Sequence, residues 1–485
     1  YYFTYCIIDM KRKILNLRFT STVLCLYFVN NQNSTMAKLR IEKAPSFNFD
    51  SEFSAIHPYI TKYSDTDEQG RYLHWSQFKW RVDKGDDVEL AWKTVLFKRG
   101  LNLKHTGLQD PGGISFTYNI PASMESKLYH LDKLAGGNVG SIEESAASDS
   151  LQNRFLVSSL IMEEAITSAQ LEGASTTREV AKKMLEEERE PIDEDERMIL
   201  NNFLLLKHAE RKAGEPLTID LILEFHYFAT FKTSENNVVP GSFREANDIY
   251  IEDGDGNIAH RPPDFKLIED RLRSLCAFAN IDHTSESGSS FMHPILKAII
   301  LHFFIGYEHA FRDGNGRTAR ALFYWFMLKS DYKLFKYVSI SKLLRENPRD
   351  YGESFLYTER GHNDLTYFIY YQLDIIIQAF NDLKSYLENK VSDFQKITAL
   401  LEQTKWGKRL NFVQIDLIKK AVKEPGRAFT VKETANSYNI AENTARKYLK
   451  MLSNEGLFLS STHGKTALFI APSESALTNA LRGHG

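Results

Sequence analysis

Residues 309–320 read H-A-F-R-D-G-N-G-R-T-A-R, and they constrain this chain more than any other stretch. Apolar runs over 294–309 and 318–328 predict two buried helices on either side of a short loop. Pro294 suits the first position of the first helix, where its missing N–H costs nothing. The loop at 310–316 therefore lies at a helix N-terminus, where free backbone N–H groups and the helix dipole favour anions.

The residues of this loop are those of a phosphate site. Gly314 and Gly316 allow the backbone to approach a phosphate closely, because no side chain intervenes. Arg317 and Arg320 are three residues apart and share one helix face at the same end. Two guanidinium groups beside an anion nest indicate phosphate more than an incidental salt bridge.

Two further side chains suggest chemistry on that phosphate. Asp313 adds negative charge to an anion site, which a Mg²⁺ ion bridging phosphate oxygens would compensate. His309 lies just before the loop, and a neutral imidazole can accept a proton from a Ser, Thr or Tyr hydroxyl. Taken singly, a histidine at a helix end is usually structural and a D-G-N-G string is usually a turn, so the joint pattern carries the prediction.

The string matches H-x-F-x-[DE]-G-N-G-R-x-x-R at every specified position and so resembles the Fic family, whose commonest activity is transfer of AMP from ATP to a protein hydroxyl. The resemblance implies a role for each residue. His309 would be the base, Asp313 would hold Mg²⁺, and Phe311 would anchor the loop. The anion hole would be formed by three consecutive residues: Gly314, Asn315 and Gly316. Arg317 would contact the β-phosphate side and Arg320 the γ-phosphate.

A second segment resembles the region that contacts the target protein in this family. Residues 240–244 read P-G-S-F-R, similar to the family's P-G-x-[YF]-R, and 261–263 read R-P-P where paired prolines are usual. Between them, 247–252 and 257–260 predict two short strands around a D-G-D-G turn. In the family this hairpin pairs with the target's main chain, so Ile249 and Tyr250 are expected to contact the target by strand addition.

Residues 168–173 read S-A-Q-L-E-G and match the family's inhibitory pattern [ST]-x-x-x-E-[GN]. The sequence upstream suits an amphipathic helix near 152–173. Ser168 and Glu172 are four residues apart, hence on one face, and Gly173 can end the helix with a left-handed turn. We expect Glu172 to pair with Arg320 and deny it to the γ-phosphate; the alternative is an ordinary helix end with a solvated glutamate.

Composition is that of an ordinary globular protein. Of the 485 residues, 43% are hydrophobic and 25% charged, and the net charge of −3 gives no sign of wholesale nucleic-acid binding. The three cysteines have no paired spacing, which excludes a disulfide framework or zinc cluster and suits a reducing, cytoplasmic location without a membrane span. Residues 1–35 are a doubtful leader or translated upstream sequence, with Met36 as a natural start.

Outside these motifs the sequence is less specific. Residues 36–145 form a predicted N-terminal helical region rich in aromatics, including Trp80, which we expect to be core. The acidic run 186–197 predicts a solvated loop. After the motif, helices are predicted over 339–345, 351–359 and 366–391. The family places an aromatic near adenine here, for which Tyr351 is the first candidate, with Tyr357 and Asn363 as alternatives.

Residues 408–473 predict a separate winged helix-turn-helix. Its helices are expected at 413–423, from 430 with a T-V-K-E capping box, and at 442–454, followed by a two-stranded wing. The third helix would expose Arg446, Lys447 and Lys450, which suit DNA phosphates. A module that binds protein or packs in a dimer is the equal alternative.

The prediction is therefore a mainly α protein, with a Fic-type helical core at 146–395, a small β-hairpin flap and the C-terminal winged helix. Its expected function is ATP- and Mg²⁺-dependent adenylyl transfer to a target protein and to itself, auto-inhibited by Glu172. The alternatives are a DNA-binding transcriptional regulator with a nucleotide-sensing core, or a Fic enzyme that transfers UMP or phosphocholine or removes AMP. The target protein is unknown, and the further partners considered are a second copy of the chain and DNA.

Overall fold

The structure is a computed structural model, and it describes residues 41–135, 151–234, 237–252, 256, 258–284, 291–402, 406, 409–423, 426–463 and 466–482. Residues 1–35, predicted to be a leader or translated upstream sequence, lie outside them. The described part of the chain is mainly helical with three small antiparallel sheets, which confirms the predicted fold class.

The described part of the N-terminal region contains four α-helices and one hairpin. They are α1 Phe49–Ile56, α2 Trp75–Phe78, α3 Val88–Gly100, β1 Lys104–Gln109, β2 Ser115–Tyr118 and α4 Ala122–Ala135. The β1–β2 hairpin was not predicted. Buried Tyr72, Phe116 and Leu131 belong to the same hydrophobic core as the central helices, so this region packs on the core as expected. Trp80 is 70% exposed, and its prediction as core was wrong.

The central region contains the two motif helices and their supports. Its elements are α5 Leu151–Leu171, α6 Arg178–Glu186, α7 Glu194–Arg211, α8 Ile219–Thr230, β3 Ile251–Glu252, β4 Ile258–His260, α9 Ile268–Asn280, α10 Pro294–Glu308, α11 Asn315–Lys329, α12 Ile340–Glu346, α13 Pro348–Arg360 and α14 Thr366–Glu402. Helices α10 and α11 are buried on nearly every face, which explains their continuous apolar sequences. Pro294 is at the start of α10, as predicted.

Two local predictions differ from the structure here. The acidic run 186–197 is not a solvated loop, because Glu186 ends α6 and Asp193 caps α7 with its side chain. Glu196 is buried and receives two hydrogen bonds from Arg189, which compensates the cost of burying its charge. In the flap, β3 and β4 pair antiparallel as predicted but are shorter than expected, and residues 253–255 of the turn lie outside the described residues.

The C-terminal region has its own hydrophobic core. Its elements are α15 Phe412–Lys423, β5 Ala428–Thr430, α16 Val431–Tyr438, α17 Glu442–Asn454, β6 Leu459–His463, β7 Thr466–Ile470 and α18 Glu474–Arg482. The capping box of Thr430 and Glu433 is present, and Asn439 makes the turn between α16 and α17 with a positive φ of 48°. The three strands form one sheet in the order β5-β7-β6.

The C-terminal region contacts the central region at α6. Asn436 on α16 donates a side-chain hydrogen bond of 2.8 Å to the backbone carbonyl of Glu186. Among the described residues, no helix is both long and apolar enough to cross a membrane.

The loop between α10 and α11 is closed by its own side chains and backbone. His309 ends α10 in the left-handed conformation (φ 43°), and Gly314 precedes α11 with φ 79°. Asn315 spans the loop: its Oδ1 accepts a 3.0 Å hydrogen bond from the Phe311 N–H, and its Nδ2 donates a 2.8 Å bond to the Phe311 carbonyl. Because Phe311 and Asn315 are both buried, water cannot replace these bonds.

We therefore expect Asn315→Ala to lower the free energy of unfolding by about 3 kcal/mol, through two lost hydrogen bonds and two buried backbone groups left unpaired. Asn443→Ala is the control, because Asn443 is exposed in the first turn of α17 and should change stability by less than about 0.5 kcal/mol. Urea unfolding of both variants measures the difference. Equal stability would show that the loop does not depend on this amide.

Candidate active site

Backbone hydrogen bonds fix the position of His309, and its ring can accept a proton. Its φ is positive, its carbonyl accepts a 3.0 Å bond from Arg244 Nε, and the next carbonyl, of Ala310, accepts from the Arg244 N–H. The ring Nδ1 lies 3.4 Å from the Gly306 carbonyl, which can only accept, so Nδ1 carries the proton. The lone pair of Nε2 is then the one able to accept a proton.

The surroundings keep this imidazole neutral. Burial lowers the pKa of His309 to about 4, and the nearby charges of His260 and Arg244 act in the same direction. His260 has two acceptors, because its Nδ1 lies 2.9 Å from Glu359 Oε2 and its Nε2 lies 2.8 Å from the Tyr307 carbonyl. Its ring therefore needs both protons, and although burial opposes the charge, Glu359 raises the pKa of His260. His309 is thus an uncharged base near neutral pH.

Asp313 lies at the start of the anion nest. Its Oδ1 accepts a 2.6 Å bond from the Gly314 N–H, and its Oδ2 pairs with Arg317 Nη2 at 2.9 Å. Arg317 also donates a 2.7 Å bond to the Ala229 carbonyl and is buried. Both terminal nitrogens of Arg317 therefore have protein partners, a feature that sequence spacing did not indicate.

Asp313 could hold a metal ion whose other ligands come from outside the protein. No cluster of three or more potential metal ligands occurs in the described chain. Mg²⁺ commonly takes one or two carboxylates and completes its shell with phosphate oxygens and water. A single half-buried carboxylate beside a phosphate nest fits that arrangement and not a cage of protein ligands.

Arg320 makes a buried contact with the end of α5 and the residue after it. Its Nη2 donates to Glu172 Oε1 at 2.7 Å, its Nε donates to Ser168 Oγ at 2.8 Å, and Nη2 also reaches the Ser168 carbonyl at 3.1 Å. Arg320 is 1% exposed, and burial disfavours its charge, yet the Glu172 carboxylate leaves the net pKa of Arg320 raised. Ser168, Glu172 and Arg320 therefore meet as the sequence predicted.

Glu172 does more than pair with Arg320. A Cβ placed on Gly316 would lie 2.2 Å from Glu172 Oε1, so the carboxylate lies directly against the backbone at the start of α11. That is the part of the nest where the Gly-Asn-Gly sequence offers N–H groups to an anion. Glu172 itself follows the last residue of α5, and Gly173 continues the chain with φ 109°.

The other predicted site residues lie around this centre. Tyr351 is half-buried, with its hydroxyl 2.9 Å from His302 Nε2 and its ring near Phe355 and Tyr371. The two alternative residues for adenine contact have other hydrogen-bond partners. Tyr357 bonds to Glu353 and Gln77, and Asn363 bonds to Asp110 in the N-terminal region.

The flap adjoins the loop at 310–316, which the sequence predicts to be catalytic and which is called the catalytic loop. Ile249 and Tyr250 are half-buried just before β3, and Asp248 pairs with Arg312 of the loop at 2.9 Å. A cavity of about 180 Å³ lies beside the flap, lined by Arg244, Asn247, Ile249, Arg261, Pro262 and Asp264. By contrast, Arg446, Lys447 and Lys450 are exposed together on α17, in the C-terminal region.

Sequence reasoning missed the roles of Arg244 and His226. Arg244 is the last residue of the P-G-S-F-R segment, and its guanidinium also bonds to the Ala246 carbonyl and Asn247 Oδ1. The motif indicated the segment but not this role. His226 on α8 bonds to the Asp313 carbonyl at 3.0 Å, and burial lowers its pKa to about 4. A single histidine on an apolar helix gives no sequence signal for such a contact.

Comparison with known proteins agrees with the motif. Proteins from Drosophila virilis and Drosophila ananassae, both named "Protein adenylyltransferase Fic", are 29% and 30% identical to this chain over 161 residues. That segment is 32% of this chain and covers 30% and 29% of those proteins, so less than a third of their length is matched.

Two solved structures are similar at a lower level. A Fic family protein from Desulfovibrio desulfuricans has a TM-score of 0.45 and 15% identity, over 71% of this chain and 95% of its own. Fic-1 from C. elegans has a TM-score of 0.45 and 17% identity, over 65% of this chain and 82% of its own.

The family match covers the loop of the site. Residues 216–327 match the family model of the Fic/DOC family, and they include α8, the flap, the loop between α10 and α11, and most of α11. The matched segment contains His309, Asp313 and Arg320, whereas Ser168, Glu172 and Tyr351 lie outside it.

Proposed function

We propose that this chain is a protein adenylyltransferase that moves AMP from ATP to a Ser, Thr or Tyr hydroxyl of a protein, and that Glu172 restrains it. The supporting observation is the joint position of a neutral His309, the Asp313 carboxylate and the start of α11 around one loop. The names of the Drosophila relatives agree with this class of reaction.

The proposed step is a displacement at the α-phosphorus. The attacking hydroxyl gives its proton to His309 Nε2 while its oxygen bonds to the α-phosphorus. The bond from that phosphorus to the bridging oxygen breaks, and pyrophosphate leaves. The N–H groups at the start of α11 would face the phosphate charge, and Asp313 would hold Mg²⁺, which would supply positive charge to the phosphates. Arg317 would exchange its bond with Asp313 for phosphate.

The target would lie along the flap. The described edge at β3 offers main-chain groups for strand addition, and Ile249 and Tyr250 precede it. The Asp248–Arg312 ion pair links this edge to the loop that follows His309, so a bound target hydroxyl would be near the base.

The restraint follows from competition for one position. Glu172 presents a carboxylate to Arg320 and to the nest at Gly316, both of which the γ-phosphate would need. While Glu172 stays there, ATP lacks its arginine and its α-phosphate is poorly aligned with the hydroxyl. Misalignment of reacting groups costs orders of magnitude in rate.

Removing this carboxylate should therefore activate the protein. We expect Glu172→Gly to raise self-labelling from α-labelled ATP with Mg²⁺ by about 100-fold, and Glu172→Gln to raise it less, because a neutral amide can still bond to Arg320. The control is Glu187→Gly, which removes a glutamate at the end of α6 that pairs with Lys183. An unchanged or weaker signal from Glu172→Gly would refute the restraint but not the transferase.

The base is tested by pH and by mutation in the Glu172→Gly background. His309→Ala should lower the labelling rate by about 100-fold or more while ATP still binds. Because the pKa of His309 is lowered to about 4, the base is active above that pH and lost as the pH falls through it. The labelling rate should thus show no histidine step between about pH 6 and 8. A rate that halves near pH 6.5 would contradict this environment for His309.

Labelling with ATP, UTP and CDP-choline side by side separates adenylyl transfer from UMP and phosphocholine transfer. Mass spectrometry of the product identifies the group added and the residue modified. A chain that binds ATP but modifies no protein would support the nucleotide-sensing alternative.

The C-terminal region is proposed to bind DNA through α17, since Arg446, Lys447 and Lys450 are all exposed there. We expect the logarithm of the DNA affinity to fall linearly with the logarithm of the salt concentration. Changing all three residues to Glu should abolish binding. Changing Lys43, Lys84 and Lys104 to Glu, which are all exposed in the N-terminal region, is the control for a general loss of positive charge. Salt-independent or absent binding would assign the region to protein contacts.

A further inference from the structure

We propose that His226 is a positioning residue that sets the direction of the peptide bond between Asp313 and Gly314, and with it the Asp313 carboxylate. The inference rests on the proposed function only for what Asp313 binds. The contact itself joins α8 to the catalytic loop across 87 residues of sequence.

The two ring nitrogens of His226 have different partners. Nδ1 lies 3.0 Å from the backbone N–H of Gly241, which can only donate, so Nδ1 is the acceptor. Nε2 lies 3.0 Å from the Asp313 carbonyl, which can only accept, so Nε2 carries the proton. The neutral ring with its proton on Nε2 is the one form that satisfies both bonds, and it links the P-G-S-F-R segment to the loop.

Packing holds the ring in this orientation. His226 is fully buried, and its ring stacks on Phe311 with centroids 3.8 Å apart and planes 6° from parallel. Phe243 stacks on Phe311 at 5.6 Å. Gly314 allows the close approach, because a Cβ there would lie 2.7 Å from Thr230 Cγ2 and 3.3 Å from His226 Cδ2. The ring can neither swing nor withdraw without moving the loop.

The bond to the carbonyl determines where the amide points. In a planar trans peptide the C=O and the next N–H point in opposite directions. With the Asp313 carbonyl directed at His226, the Gly314 N–H is directed away from it, and there it donates to Asp313 Oδ1 at 2.6 Å. His226 thereby holds the carboxylate proposed for Mg²⁺ without touching substrate.

The test uses three substitutions in the full chain. His226→Phe keeps the stack on Phe311 but loses both hydrogen bonds. His226→Gln can place its amide nitrogen near the position of Nε2 and keep the bond to the Asp313 carbonyl, whereas His226→Asn is too short to do so. His208→Phe is the control, because His208 is also buried, packs on Phe228 and bonds to Glu224, on helices outside the loop.

Two measurements are made on each protein: ATP affinity with and without Mg²⁺, and hydrogen exchange of the segment 310–316. In His226→Phe we expect the gain in ATP affinity caused by Mg²⁺ to be about tenfold smaller, because one oriented bond to the loop is lost. The amide hydrogens of 310–316 should also exchange faster. His226→Gln should stay within about threefold of the original protein, and His226→Asn should resemble His226→Phe.

If His226→Phe kept the Mg²⁺ dependence of ATP affinity and the exchange rate of the original protein, the proposal would be overturned. If that variant does not fold, equal behaviour of the Gln and Asn variants would overturn it as well. If the original protein binds no ATP, the proposed function fails, but faster exchange in 310–316 still supports the role of His226 and unchanged exchange refutes it.

Discussion

A buried guanidinium must always have a counterion, and Arg320 is the residue on which this site depends. Removing a charge from water without a partner costs several kcal/mol, so Arg320 at 1% exposure has to be matched by a carboxylate or a phosphate. In this structure the match is Glu172, supported by Ser168. Glu172, just after the end of α5, meets this need, and α5 itself packs mainly on α7 and α12.

Buried hydrogen bonds also connect α5 to its neighbouring helices. Glu164 accepts hydrogen bonds from Ser339 and Ser341 at the start of α12, although burial raises its pKa. Asn202 on α7 donates to the Ala165 carbonyl. Helix α5 is thus joined to two neighbours by bonds that involve neither Glu172 nor Arg320. Motion of the Glu172 side chain alone would free the nest, whereas displacement of α5 would break these bonds.

The catalytic loop was predictable in outline because its requirements are local. Two apolar helices, a glycine at a positive φ and charged residues at fixed spacing are all visible in the sequence of 294–328. The pairing of Glu172 with Arg320 was also predictable, but only through the family pattern at 168–173. Composition could not indicate which carboxylate would meet that arginine across 148 residues.

The parts that were missed depend on tertiary contacts. His226 and Arg244 serve the loop from distant segments, and nothing in the spacing around them specifies a backbone carbonyl as their partner. The acidic run at 186–197 was predicted to be a solvated loop because charged side chains are usually exposed. Glu196 is buried nevertheless, because Arg189 pairs with it. The β1–β2 strands lack a clear alternation of apolar residues, with only Leu108 buried in β1, so no periodicity indicated a hairpin.

The space above Gly316 has a consequence for how such a protein can vary. A side chain at 316 would collide with the Glu172 carboxylate, and under the proposed function the same space would receive a phosphate. A substitution that displaced Glu172 from this side would then also fill the space of the nucleotide, so changes at Gly316 are not expected to increase activity. Substitutions that increase activity are expected instead at Glu172 or at its neighbours on α5.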